Sequence, residues 1–147
     1  MIHLQQFKAE DMFSVLKLAS TVLSEQYNPT LFTYLYETCP WGLWTAHRYQ
    51  RIVGFIIGVP FTNNFAKILM IGVHPSVQRK GIGSLLLTKI LTIFQQHNIS
   101  IIELEVAVNN KKAIQFYQKH HFKITEEYAH FYQNGDNAYI MRWTGVH

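Results

Sequence analysis

The chain contains a single cysteine, Cys39, among its 147 residues. One thiol cannot close an intramolecular disulfide, so a disulfide-stapled secreted scaffold is excluded and a reducing cytoplasm is the expected setting. Cys39 lies beside Pro40, which suits a buried or loop thiol better than a nucleophile. Only four prolines occur, and no stretch reads as a linker, repeat or low-complexity tract. No apolar run reaches the ~18 residues that a membrane-spanning helix needs. Met1-Ile2-His3-Leu4-Gln5 lacks the basic-then-apolar order of a signal peptide. The eight histidines make no His-x-x-x-His or Cys/His spacing with a third ligand, so no metal is expected. The net charge of +4 suits an anionic cofactor or an acidic partner, but it is too small and dispersed for nucleic acid.

What the chain does have is apolar residues, at 48% of the total, enough for one globular domain with a substantial core. The patterning alternates between strand and helix. Ile2 to Phe7 reads as a strand, and Ala9 to Leu23 as a helix with a stripe at Met12, Val15, Leu16, Ala19, Val22 and Leu23. Asn28-Pro29 is a capped helix start, and Cys39-Pro40 ends that helix after about Thr38. Leu43 to His47 and Ile52 to Val59 read as a hairpin turning at Arg48 to Arg51. After a turn at Asn63-Asn64, a strand runs to Val73.

A third helix opens near Gly81 and runs to about His97, its buried stripe being Ile82, Leu86, Ile90, Ile93 and Phe94. Ile99 to Val106 is a strand. Asn110 caps a fourth helix with a face of Ala113, Phe116, Tyr117 and His120. Phe122 to Tyr132 and Ala138 to Trp143 close the chain as a hairpin around Asn134-Gly135. Strands alternating with helices and ending in a hairpin imply a mixed α/β sheet with helices on both faces.

The most informative stretch is Val73-His74-Pro75-Ser76-Val77-Gln78-Arg79-Lys80-Gly81-Ile82-Gly83-Ser84. A strand ends at a proline, a basic glycine-containing loop follows, and an amphipathic helix begins. Two glycines after a strand fit either a tight turn or an anion cradle. They match neither the dinucleotide fingerprint nor the P-loop. In the cradle, glycine admits close backbone approach, and the first amides and dipole of the helix favour phosphate oxygens.

The spacing Gln78-x-x-Gly81-x-Gly83 after Val73-x-Pro75 resembles the pyrophosphate loop of the GNAT superfamily of acetyl-CoA-dependent N-acetyltransferases. Glu103 to Tyr117 resembles its second motif, in which a strand leads through an asparagine to a helix bearing a tyrosine. Leu23-Ser24-Glu25-Gln26-Tyr27 is similar to the Leu-Pro-Glu-x-Tyr turn of protein N-terminal acetyltransferases, and Phe131-Tyr132-x-Asn134-Gly135-x-x-Ala138-Tyr139-x-Met141 to their aromatic hairpin. The resemblance therefore points to the RimI-like and archaeal or eukaryotic Nα-acetyltransferase branch.

It implies the GNAT fold, with about seven strands splayed between the fourth and fifth and four helices on both faces. It implies that backbone around Ile71 and Val73 holds the acetyl and pantetheine part of acetyl-CoA. Gln78, Arg79, Lys80, Gly81, Ile82, Gly83 and Ser84 hold the pyrophosphate, and Asn110 and Tyr117 flank the pantetheine and sulfur. Glu25, Tyr27, Phe131, Tyr132 and Tyr139 fall where the family builds its substrate gate.

The expected reaction is direct attack of an amine on the thioester, with no enzyme nucleophile. A protein α-amine has a pKa of ~7.7–8.0 against ~10.4 for lysine, so only a modest base is needed. Glu105 is the family position for that base; with Glu103 it also fits a solvated strand carboxylate pair on one face. Tyr117 is either the acid for the departing thiolate or a core tyrosine, and Glu25 either a second base or a loop carboxylate. The substrate is expected to be a protein N-terminus, including that of a ribosomal protein. A small amine, a lysine side chain, or a non-catalytic acyl-CoA sensor are the competing readings.

Two positions depart from the family pattern. His121-Phe122 replaces Gly-Phe, placing histidine where a left-handed helix cap is expected. Ala66-Lys67-Ile68-Leu69 carries no aromatic or histidine on the strand before the loop, which directs the base role to Glu105 or Glu25.

Overall fold

The computed structural model describes residues 1–22 and 29–145. Its strands are β1 (His3–Gln6), β2 (Leu43–Arg48), β3 (Arg51–Pro60), β4 (Phe65–Val73), β5 (Ile101–Ala107), β6 (Lys123–Tyr128) and β7 (Ala138–Trp143). Its α-helices among the described residues are α1 (Met12–Val22), α2 (Pro29–Thr38), α3 (Ile82–Gln96) and α4 (Lys111–Lys119). The strands form one mixed sheet in the order β1-β2-β3-β4-β5-β7-β6. By contact density the chain divides into two units: residues 1–59 with 68–97, and residues 60–67 with 98–147.

The parallel ladder between β4 and β5 pairs Phe65 with Ile101, Ala66 with Ile102 and Lys67 with Glu103. These are the first three residues of each strand, and the ladder is registered no further although β4 continues to Val73 and β5 to Ala107. That short ladder is the splay expected between the fourth and fifth strands.

In the first unit, alternation along β3 sorts the helices onto two faces. Phe55 and Ile57 join Val15, Leu18 and Ala19 of α1 and Phe32 and Leu35 of α2 in one cluster. Gly58, of opposite parity, faces α3: a Cβ built there would lie 2.5 Å from Phe94 Cζ. Full burial of side chains such as Phe32 and Phe55 contributes roughly 1.5–3 kcal/mol each. The β2–β3 hairpin turns through Tyr49 and Gln50, both at positive φ (52° and 66°), the geometry that matches strand twist in a two-residue turn. Pro29 opens α2 as expected; the cap assigned to Asn28 lies outside the described residues.

Several details differ from the sequence pattern. The first turn of the first helix is 3₁₀, over Ala9–Asp11, where the Asp11 carboxylate accepts from the Lys8 amide at 2.9 Å. In α3 the buried row is Ile82, Leu86, Ile90 and Phe94 with Leu87 beside it, while Ile93 is half-buried. The i, i+4 row runs nearly along the axis, and Ile93 sits on its flank. In α4, Ile114 and Tyr117 are buried, whereas Ala113 and Phe116 are half-buried.

The largest correction concerns the terminal hairpin. β6 ends at Tyr128, which pairs with Ala138, so Phe131 and Tyr132 lie in the connection and not in a strand. Asn134-Gly135 does form a turn, with the Gly135 amide donating to the Tyr132 carbonyl at 2.9 Å and Gly135 at φ 91°. It sits inside a longer loop, because polar side chains at 134 and 137 satisfy the backbone there instead of a strand ladder.

Candidate active site

The first unit carries the loop. β4 ends at Val73, and a 3₁₀ turn over Pro75–Val77 follows. His74 caps that turn: its Nδ1 accepts from the Ser76 amide at 3.1 Å and contacts the Ser76 hydroxyl at 2.8 Å. Gln78 folds back, its side-chain amide donating to the Val73 carbonyl at 3.0 Å. The long range of the chain from strand end to helix start is thereby held by its own side chains.

Two left-handed residues, Arg79 (φ 65°) and Gly81 (φ 81°), then turn the backbone into α3. Gly81 is the N-cap and offers no side-chain cap, and a Cβ there would meet nothing within 4 Å. Approach to the backbone is therefore open. The first intrahelical bond runs from the Leu85 amide to the Gly81 carbonyl at 3.0 Å, and the amides of the first turn precede it. Arg79, Lys80 and Gly81 are exposed. The helix start thus exposes backbone donors beside two cations, an arrangement that favours negative charge.

The second unit carries the titratable groups. Asn110 caps α4, its side-chain oxygen accepting from the Ala113 amide at 3.2 Å. Tyr117, two turns further along, is buried against Phe116 and Phe122, with ring centroids at 5.3 and 5.8 Å. Burial pushes its phenol well above the ordinary range, and the charge of Tyr132 adds to the shift, so Tyr117 stays protonated at neutral pH. The helix ends at His121 in the left-handed conformation (φ 72°), with the Phe122 amide returning to the Tyr117 carbonyl at 3.0 Å. Histidine thus fills the cap that glycine fills more easily.

Glu103 and Glu105 project from one face of β5, and both are ion-paired. Glu105 Oε1 accepts from Lys67 Nζ at 2.9 Å. Glu103 Oε2 accepts from Arg142 Nε at 2.7 Å and also from its terminal guanidinium nitrogen. Glu103 is therefore a cross-strand structural pair, in register with Arg142. The partners Lys67 and Arg142 were invisible to the sequence reading because they lie 38 and 39 positions away, and no local pattern marks them.

Phe131 packs against Tyr132 (5.0 Å, 82°) and Tyr128 (6.4 Å, 21°) in the β6–β7 loop, with Phe131 46% exposed. Tyr139 sits on β7 opposite Val106 and Glu127. Glu25 and Tyr27 lie outside the described residues. Among the described residues, no group of three His, Cys, Asp or Glu side chains could hold a metal, and no helix is long and apolar enough to cross a membrane.

A strand running into a helix that starts at an uncapped glycine, and a second strand running through a capping asparagine into a helix with a buried tyrosine, are the two connections in which the sequence resembles the acetyltransferases. The chain belongs to the Acetyltransferase (GNAT) family, whose model matches residues 10–122. It is 26% identical to an N-alpha-acetyltransferase of Sulfurisphaera tokodaii over 143 residues, covering 89% of this chain and 86% of that one. The crystal structure of Ard1 from Thermoplasma volcanium superimposes with a TM-score of 0.94 at 31% identity, over 99% of both chains. Naa50 of Arabidopsis thaliana, solved with the bisubstrate analogue CoA-Ac-MVNAL, shares the fold with a TM-score of 0.88 at 23% identity, over 97% of this chain and 98% of that one.

Proposed function

We propose that this chain transfers acetyl from acetyl-CoA to the α-amino group of a protein N-terminus. The observation that carries the reading is the start of α3, where a left-handed, uncapped glycine and two exposed cations present helix amides to a diphosphate. The acceptor class is supported by the archaeal relative named N-alpha-acetyltransferase. A ribosomal protein is a further acceptor to test, since the ribosomal-protein-S18-alanine N-acetyltransferase of Escherichia coli shares the fold at 18% identity. A lone thiol supports a cytoplasmic place of work.

In this reading, Gln78 to Ser84 hold the pyrophosphate of acetyl-CoA, and main-chain groups of Ile71 and Val73 hold its pantetheine end. Gln78 contributes by fixing the Val73 carbonyl as well as by its place in the loop. Asn110 uses its oxygen as a helix cap and contacts the pantetheine through its NH₂ group. The neutral amine attacks the thioester carbonyl, the N–C bond forms, and the C–S bond breaks. The amine proton passes to Glu105, directly or through water, while Lys67 holds the other end of that carboxylate.

Tyr117 donates to the departing sulfur. A thiol has a pKa of ~8.5, below that of this buried phenol, so the tyrosine stabilises the thiolate by hydrogen bonding more than by complete proton transfer. Glu25 is the alternative base, and Glu25, Tyr27, Phe131, Tyr132 and Tyr139 are the acceptor-side positions that the family resemblance implies. The test is acetylation of an N-terminal peptide library beside polyamines and internal lysines, with the modified amine located by mass spectrometry. Modification at peptide α-amines is expected. Transfer confined to polyamines or lysine side chains would overturn the acceptor assignment, and no turnover at all would leave an acyl-CoA sensor.

A further inference from the structure

The β6–β7 loop carries two of the aromatic residues on the acceptor side, yet it has little of its own to bury. Phe131 is exposed, and residues 133–135 are exposed as well. A loop with so few apolar contacts needs hydrogen bonds to hold one conformation. Asn137 supplies some, accepting from the His130 amide and from the Val108 amide, and Asp136 supplies the rest of the tie to Tyr132. Asp136 accepts the Tyr132 amide on its main-chain carbonyl at 3.2 Å. Its own amide donates to Asn134 Oδ1 at 3.0 Å. Its carboxylate Oδ2 accepts from Asn134 Nδ2 at 3.0 Å and from Asn109 Nδ2 at 3.3 Å.

Asn109 is not part of the loop. It stands between β5 and α4, next to Asn110, which caps the helix bearing Tyr117. Asp136 therefore links the backbone of Tyr132 to the turn that starts the tyrosine helix.

We propose that Asp136 is a positioning residue that, through Asn109, sets Phe131 and Tyr132 in place for the amine acceptor. The inference rests on the transferase reading above. Its consequence is selective. Loosening the loop raises the KM for the acceptor, because ordering must then be completed on binding. It leaves the amides at the start of α3 untouched, so the KM for acetyl-CoA holds. It leaves Tyr117 in its helix, so kcat changes little.

The experiment is steady-state kinetics of Asp136→Ala, Asn109→Ala and the double variant, using whichever amine the wild type turns over. Each single variant is expected to raise the acceptor KM about tenfold, the scale of one charge-assisted hydrogen bond, with kcat and the acetyl-CoA KM within about twofold. The double variant should add little, because both changes break one link. Asp136→Asn, which keeps an acceptor oxygen, should recover part of the loss. Unchanged acceptor KM in both single variants, or kcat and both KM values falling together with thermal stability, would overturn the proposal. A wild type that ignores N-terminal peptides but acetylates another amine would remove the Nα reading alone, and the Asp136 effect would still be read on that amine.

Discussion

Helices α3 and α4 both follow a strand, and their starts are built in opposite ways. α4 begins at Asn110, whose side chain accepts from the amide three residues on. Part of its N-terminal donor capacity is consumed inside the protein. α3 begins at a left-handed Gly81 with no side-chain cap and open space where a side chain would stand. Its donors are left for a ligand. The same helix physics therefore yields a structural joint in one place and open amides in the other, and the residue type at the cap decides which. The division extends to chemistry: the uncapped helix carries exposed cations near its start, and the capped one carries the buried phenol.

The proposed function puts binding at the start of α3 and chemistry on the body of α4, and that division can be broken. The largest expected effect is that of Tyr117→Phe, which should lower kcat by about 100-fold and leave acetyl-CoA affinity within about twofold. Stopped turnover assays with calorimetry of coenzyme binding would read both; an affinity loss as large as the rate loss would erase the division. Gly81→Val should weaken acetyl-CoA binding about tenfold, since a β-branched residue is strained at φ 81° and re-aims the helix amides. Its kcat at saturating coenzyme should stay near wild type.

Smaller effects sharpen the contrast. Asn110→Ala should cost about 1 kcal/mol of stability in denaturant unfolding, whereas Asn110→Asp should keep the cap and cost much less. Equal losses in the two variants would mean that the amide NH₂, not the capping oxygen, supports the fold. At the other end of α4, His121→Gly should raise stability by ~0.5–1 kcal/mol, because glycine reaches φ > 0 without the Cβ penalty. A loss there would show that the histidine side chain contributes more than its backbone costs.

The parts of the site that depend on near neighbours in the chain were legible from the residues. Gly81 after a strand and a proline marked the loop, Asn110 marked a cap, and the place of His121 marked a left-handed end. Strand and helix periods located each element to within a few residues, apart from the end of β6. That end was misjudged because Tyr128, Phe131 and Tyr132 are all good strand formers. The deciding groups were Asn134 and Asn137, whose side-chain oxygens accept from backbone amides of the loop.

The carboxylates of β5, read as either a base at Glu105 or a solvated pair, are another example. Spacing put Glu103 and Glu105 on one face, but each met a cation from a different strand. No window of sequence contains Lys67 and Glu105 together, and their meeting depends on the parallel register of β4 with β5.

From its sequence alone, this protein's helix starts, caps, glycine turn and hydrophobic faces were determined, because each arises from bonds and torsions spanning four residues or fewer. Only the tertiary structure decided which carboxylate is tied to which cation, where the aromatic loop leaves the sheet, and that Asp136 joins it to the tyrosine helix. Those outcomes require groups 27 to 39 positions apart to come within hydrogen-bonding distance, and strand register sets that distance.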